Sequence, residues 1–219
     1  MPHRLAIFDC DGTLVDSQHS IVAAMAAAFE AVSLACPSRA DCLSVVGLSL
    51  PQAIARLLPD AEPAFHREIG EHYKRAFHAL RAGGALQEPL YEGIAPLLDA
   101  LDADGWLLAV ATGKSDRGLR LVLEHHGLAG RFVSLQTADR HPSKPHPAMI
   151  EAALAEAGAD RADAVMIGDT SFDMAMAQAA DVRALGVGWG YHPREALIEA
   201  GAHSVAMDSA ELARHIGLP

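Results

Sequence analysis

The chain is short of cysteine, of aromatic side chains and of positive charge, and each shortage removes a class of function. Its three cysteines, Cys10, Cys36 and Cys42, form no C-x-x-C pair. That argues against a disulfide framework or a thiolate zinc site and predicts reduced thiols in a cytoplasmic protein. Lys and Arg number 17 against 28 Asp and Glu, a formal net charge of −11. Nucleic acids and anionic membranes recruit basic faces, so neither is an expected partner. Long hydrophobic runs are also missing. Leu5 to Phe8 is too brief for a secretion signal, and Ile21 to Phe29 falls far below the roughly 20 residues that a membrane helix needs. With 51% hydrophobic and 21% charged residues, the composition is that of a folded chain.

What is present is a rhythm. Leu5–Phe8, Trp106–Ala111, Phe132–Leu135, Ala164–Ile167, Arg183–Val187 and Ser204–Met207 read as strands. They lack strict polar alternation, as strands covered on both faces do. Helical patterns lie between them. One runs from Ser115 to just before Gly127. Another follows Pro147, carries Met149, Ile150, Ala153, Leu154 and Ala157 on one stripe, and stops at Gly158. The order predicts an α/β fold with a doubly wound, mainly parallel, Rossmann-like sheet.

Residues 17–85 break this rhythm, with at least three helical patterns and no strand. Phe65, Ile69, Tyr73, Ala76, Phe77 and Leu80 recur at helical spacing, and Glu71 and Arg75 are set for an i,i+4 pair. Ser49 and Pro51 mark a helix start, Pro59 an end, and Ala82-Gly83-Gly84-Ala85 a flexible return. The expectation is an all-helical insertion over 17–85, hinged at both ends, in a core of residues 1–16 and 86–219.

Chemistry gathers at strand ends. Phe8-Asp9-Cys10-Asp11-Gly12-Thr13 places two carboxylates at a strand tip, where open α/β sheets bind ligands. Two like charges at about 4 Å repel by roughly 4 kcal/mol at an effective dielectric of 20, so such a pair attracts a cation. A calcium loop does not fit, because glycine stands fourth rather than sixth and Ser20 occupies the twelfth position; a solvated acidic turn is the alternative. Thr112-Gly113-Lys114-Ser115 follows another strand and opens a helix, offering a hydroxyl and free N–H groups to an anion, or simply a serine cap. Gly168-Asp169-Thr170-Ser171-Phe172-Asp173 returns carboxylates to a strand end, as metal ligands or as a helix cap. Ser143-Lys144-Pro145-His146-Pro147 adds a lysine between prolines. Capping alone does not call for all of these on one sheet edge.

These four segments, in this order and over nearly the whole chain, resemble the four motifs of the haloacid dehalogenase superfamily. The first motif, aspartate–x–aspartate–glycine–threonine, matches residue for residue. The insertion after it resembles the helical cap of the subfamily that includes phosphoglycolate phosphatases. The resemblance implies magnesium-dependent hydrolysis of a small-metabolite phosphate monoester, with phosphoglycolate the first to test. It implies Asp9 as the nucleophile that forms an aspartyl-phosphate, and Asp11 as the acid and then the base. Thr112, Gly113 and Lys144 would hold the phosphoryl oxygens. Magnesium would be held by Asp9, the backbone carbonyl of Asp11 and Asp169, with Asp173 ordering a bound water or the lysine. Asp11 speaks against dehalogenation, which has no leaving oxygen to protonate. Mutase relatives carry a histidine where this chain has Ile21 and usually lack the threonine found here as Thr13. A mutase, a nucleotidase, a pyrophosphatase and a non-catalytic binder of phosphate ligands stay open beside the hydrolase.

Within the insertion Arg39, Arg56, Arg67, Lys74, Arg75 and Arg81 could meet a substrate, although charges on amphipathic helices usually face water. Arg56, after the loop-like Gly47–Leu50, is the candidate. Lys114 stands between phosphate contact and solvent. Cys10 is expected to point into the fold, Trp189 and Tyr191 to pack, and His125, His126, His141 and His146 to serve structure, since no spacing matches a zinc site.

Overall fold

Side chains alternate between the two faces of a strand, and in strand β1 (Leu5–Phe8) all four are buried. Both faces must therefore be covered. Ala6 and Phe8 join one apolar cluster, Leu5 and Ile7 another. The same split runs through β2 (Leu107–Thr112) and β4 (Ala164–Gly168): Leu108, Val110, Val165 and Ile167 face one way, Ala109, Ala111, Ala164 and Met166 the other. With β3 (Ser134–Thr137), β5 (Arg183–Val187) and β6 (Ser204–Ala206) they form a six-stranded sheet in the order β3-β2-β1-β4-β5-β6. Every neighbouring pair is parallel. This computed structural model describes residues 3–218; Met1, Pro2 and Pro219 lie outside the described residues.

Four helices follow β1: α1 (Gln18–Ala31), α2 (Arg39–Ser44), α3 (Leu50–Leu57) and α4 (Pro63–Ala82). They bury a cluster of their own from Met25, Ala28, Phe29, Cys42, Ile54 and Ile69. Each large apolar side chain so buried contributes about 1.5–3 kcal/mol, which is why so short a run of helices holds together beside the sheet. The outgoing and returning chains lie side by side: Asp16 N–H donates to Pro89 O at 2.8 Å and Tyr91 N–H to Leu14 O at 3.0 Å.

The remaining helices cover the sheet. On one face lie α5 (Ile94–Ala103), α6 (Asp116–His125) and α10 (Ser209–Ile216); on the other lie α7 (Ala148–Ala157), α8 (Ser171–Ala179) and α9 (Arg194–Glu199). Ser115 caps α6 by accepting from Gly118 N–H, and Gly158 ends α7 in the left-handed conformation.

Three expectations shift. Trp106 precedes β2, which runs on through Thr112; its ring instead lies 5.0 Å under the Arg4 guanidinium. Strand β3 begins at Ser134 rather than Phe132, because its polar residues are satisfied by side chains. Gln136 Nε2 donates to Ser134 Oγ at 2.7 Å and Thr137 Oγ1 to Asp116 Oδ1 at 2.6 Å. Glu71 pairs with Lys74 at 2.7 Å, one turn position closer than Arg75. No helix among the described residues is long and apolar enough to cross a membrane.

Candidate active site

Strands β2, β1 and β4 are neighbours, so their C-terminal ends bring Thr112, Asp9 and Asp169 together where the strand order reverses. Asp9 N–H donates to Ile167 O at 2.9 Å, extending the β1–β4 ladder by one residue and fixing the aspartate. The chain then turns at Gly12, at φ +80°, where an added Cβ would lie 2.2 Å from Asp169 Oδ2. A Cβ at Gly190 would lie 2.2 Å from Asp169 Cβ. Two stretches of backbone therefore close on Asp169 from opposite ends of the sequence, and only glycine permits it.

The charge is concentrated and dry. Asp9, Asp169, Asp173 and Lys144 are all at most 1% exposed. One carboxylate oxygen from each of the three aspartates lies within 4.8 Å of the others. Lys144 Nζ sits 2.6 Å from Asp173 Oδ1 and 2.9 Å from Asp9 Oδ2. The second contact lies off a hydrogen-bonding direction, leaving Asp9 Oδ2 buried without a hydrogen-bond partner. Asp169 accepts from Thr13 Oγ1 and from Tyr191 N–H, each at 2.9 Å. Burial pushes the Asp9 carboxyl up to about 7, against the pull of Lys144 and with the help of Asp173. Burial, then Asp173 and Asp9, hold Asp169 well above the ordinary carboxylate range. Burial pulls the Lys144 ammonium down, but Asp173 and Asp9 outweigh it and raise its pKa. Three carboxyl groups around one lysine make an all-oxygen arrangement suited to a hard divalent cation.

Asp11 turns the other way. Its Oδ1 accepts from Ser17 Oγ and from Lys114 Nζ. Lys114 Nζ also lies 3.0 Å from Glu88 Oε1, and Glu88 Oε2 meets Arg81 Nη2 at 2.8 Å. Burial lowers the Lys114 ammonium, yet Asp11 and Glu88 prevail and hold it well above its usual value. Tyr191 Oη accepts from Ser17 N–H at 3.0 Å, and Trp189 Nε1 donates to Thr13 O at 3.2 Å.

Above the strand tips lies a cavity of about 560 Å³ whose walls include Asp9, Asp11, Thr112, Gly113 and Lys114. The segment between α2 and α3 roofs it. Gly113 passes so close beneath Leu48 O that a Cβ there would stand 2.6 Å from it, and Ser49 N–H donates to Ser143 Oγ at 2.8 Å.

The fold thus gathers Asp9, Asp11, Thr112, Gly113, Lys144, Asp169 and Asp173 at one sheet edge. Arg56 is not brought there: it is exposed, lies outside the cavity walls, and stacks its guanidinium 5.3 Å over Phe172. Lys114 lies on the cavity wall and is paired there with two carboxylates, Asp11 and Glu88. Cys10 is buried in the apolar cluster with Phe8 and Leu14, as its alternation requires, and all three cysteines are free. Trp189 and Tyr191 do more than pack, because they tie the loop after β5 to the residues around Asp9 and Asp169. Glu88, Ser17 and Tyr191 escape sequence reasoning; the one signal was that Tyr191, like the aspartates, follows a strand end.

A family model described as haloacid dehalogenase-like hydrolase matches residues 6–187. The chain belongs to this family of hydrolases. A Dickeya dadantii protein named probable phosphatase IndB is 36% identical over 88% of this chain and 84% of its own length. A phosphoglycolate phosphatase of Agrobacterium fabrum is 33% identical over 85% and 81%. The crystal structure of a hydrolase from Pseudomonas syringae superposes with a TM-score of 0.87 at 25% identity, covering 98% of each chain.

Proposed function

We propose that this haloacid dehalogenase-like hydrolase is a magnesium-dependent phosphatase of small-molecule phosphate monoesters, working through an aspartyl-phosphate on Asp9. The observation that carries this reading is Asp9 Oδ2: buried, without a hydrogen-bond partner, and beside a single lysine. An oxygen that no hydrogen bond holds, kept beside one ammonium group, is free to attack an electrophile.

The residues fit a divalent ion. Asp9, the backbone carbonyl of Asp11 and Asp169 would hold it, and the close approach of carboxylate oxygens of Asp9, Asp169 and Asp173, within 4.8 Å of one another, supports that reading. Bound there, magnesium supplies charge neutralisation between a carboxylate and a phosphate dianion. Asp173 directs Oδ1 to Lys144 and Oδ2 to Thr170, so its work is to aim the lysine.

The chain's own groups then divide the reaction. Asp9 attacks phosphorus and the ester oxygen departs, taking a proton from Asp11. Water, giving its proton to Asp11, next attacks the phosphorus and frees Asp9 and inorganic phosphate. Splitting one displacement into two is what a covalent intermediate contributes, and the acid–base help is worth about 10²–10⁴-fold. Lys144, Thr112 and the N–H groups near Gly113 receive the phosphoryl oxygens as charge builds on them. Residues 17–85 act as a cap over the core of residues 1–16 and 86–219, excluding water and meeting the leaving group.

The test is release of inorganic phosphate from p-nitrophenyl phosphate and phosphoglycolate with and without magnesium. Acid-quenched enzyme is analysed by mass spectrometry for a phosphoryl group on the peptide carrying Asp9. Hydrolysis that needs no divalent ion, or a phosphoryl group on another residue, overturns the proposal.

A further inference from the structure

Behind the catalytic carboxylates the cavity is built for something other than a short acid. Its far walls are Ile21 and Met25 from α1, Val46 and Leu48 from the roof, and Tyr73 and Phe77 from α4. Tyr73 and Phe77 are half-buried with ring centroids 5.8 Å apart. They form an aromatic patch on the cavity wall.

The two least exposed cations on those walls, Lys114 and Arg81, are already paired with carboxylates. A carboxylate brought into such a space loses its hydration and needs a charged donor in return. Lys114 is held between Asp11 and Glu88, Arg81 by Glu88, and Lys74 by Glu71. Arg117 is exposed at the rim and shares a 2.8 Å hydrogen bond with His78. Glu88, itself 8% exposed, is the decisive group, because its two carboxylate oxygens pair with Lys114 and Arg81. A volume of about 560 Å³ falls within the range of about 300–1,000 Å³ typical of pockets that enclose drug-sized ligands. A two-carbon acid would leave most of it as water against apolar walls.

We infer that the natural leaving group is uncharged and carries an apolar ring, seated against Tyr73 and Phe77, with Glu88 acting against carboxylated esters. The inference rests on the phosphatase reading above and specifies the part of the substrate beyond the phosphate.

Two non-hydrolysable ligands test it on the full chain with magnesium by calorimetry: benzylphosphonate, neutral beyond its phosphonate, and phosphonoacetate, which carries a carboxylate. Benzylphosphonate is expected to bind at least tenfold more tightly, a difference of about 1.4 kcal/mol. Tyr73→Ala should narrow that ratio at least threefold, and kcat/KM for benzyl phosphate over phosphoglycolate should follow the same order. Phosphonoacetate binding equally or more tightly, or binding of neither ligand, overturns the inference. Turnover of phosphoglycolate in preference to benzyl phosphate overturns it while leaving the phosphatase intact. Preferential binding of benzylphosphonate without hydrolysis of any ester supports the ring pocket and defeats the phosphatase instead.

Discussion

Asp173 Oδ1 and Lys144 Nζ form a 2.6 Å ion pair with both side chains completely buried. A buried pair of this kind gains little over apolar packing, but removing one partner strands the other. Here the lysine also stands beside Asp9, so its loss strands two acids. Lys144→Met is expected to destabilise the metal-free protein by about 3–5 kcal/mol in urea unfolding. A loss under about 1 kcal/mol, the level of an exposed pair, would show that the lysine does not balance Asp9 and Asp173.

Asp9→Asn should leave a folded protein without magnesium-dependent phosphatase activity. It also tests the electrostatics. In the folded state burial raises the Asp9 carboxyl from 3.8 to about 7, so between those values the folded state binds a proton that the unfolded state has released. Stability from Asp9 is therefore full at low pH and declines as pH rises towards 7. Without metal, the stability of the natural protein relative to Asp9→Asn should fall from pH 4 to pH 7 and level off above. A flat difference would contradict the raised carboxyl.

Magnesium should raise the melting temperature, because it would bind the folded site and not the unfolded chain. At one hundred times its dissociation constant the gain is about 2.7 kcal/mol. EDTA should abolish the gain, and Asp169→Asn should remove most of it. An equal gain in Asp169→Asn would place the ion elsewhere.

Gly12→Ala adds a Cβ 2.2 Å from Asp169 Oδ2 at a residue with φ +80°. The left-handed conformation costs about 1–2 kcal/mol for a residue with a side chain, and the clash moves Asp169. A drop in kcat/KM of at least tenfold is expected, with a far-ultraviolet circular dichroism spectrum unchanged. Full activity would mean that Asp169 need not sit where it does.

The sheet and the reacting groups were legible because both are written in short stretches. Leu5–Phe8 and Ala164–Ile167 are apolar enough to be strands by themselves, and each runs directly into its aspartate, so the tips and their chemistry come as one local unit. The strand boundaries failed where polarity misled: Gln136 and Thr137 are buried in β3 because neighbouring side chains satisfy them, which no local pattern reveals.

By itself, then, the sequence determined which elements form, in what order, and which carboxylates stand at their ends, since hydrophobic period and motif spacing act over a few residues. The tertiary structure decided the company those groups keep. Lys114 meets Asp11 across 103 residues and Tyr191 meets Ser17 across 174, while Arg56 turns away to Phe172. Charge pairing depends on distance in space, and that distance exists only once the helices have packed on the sheet.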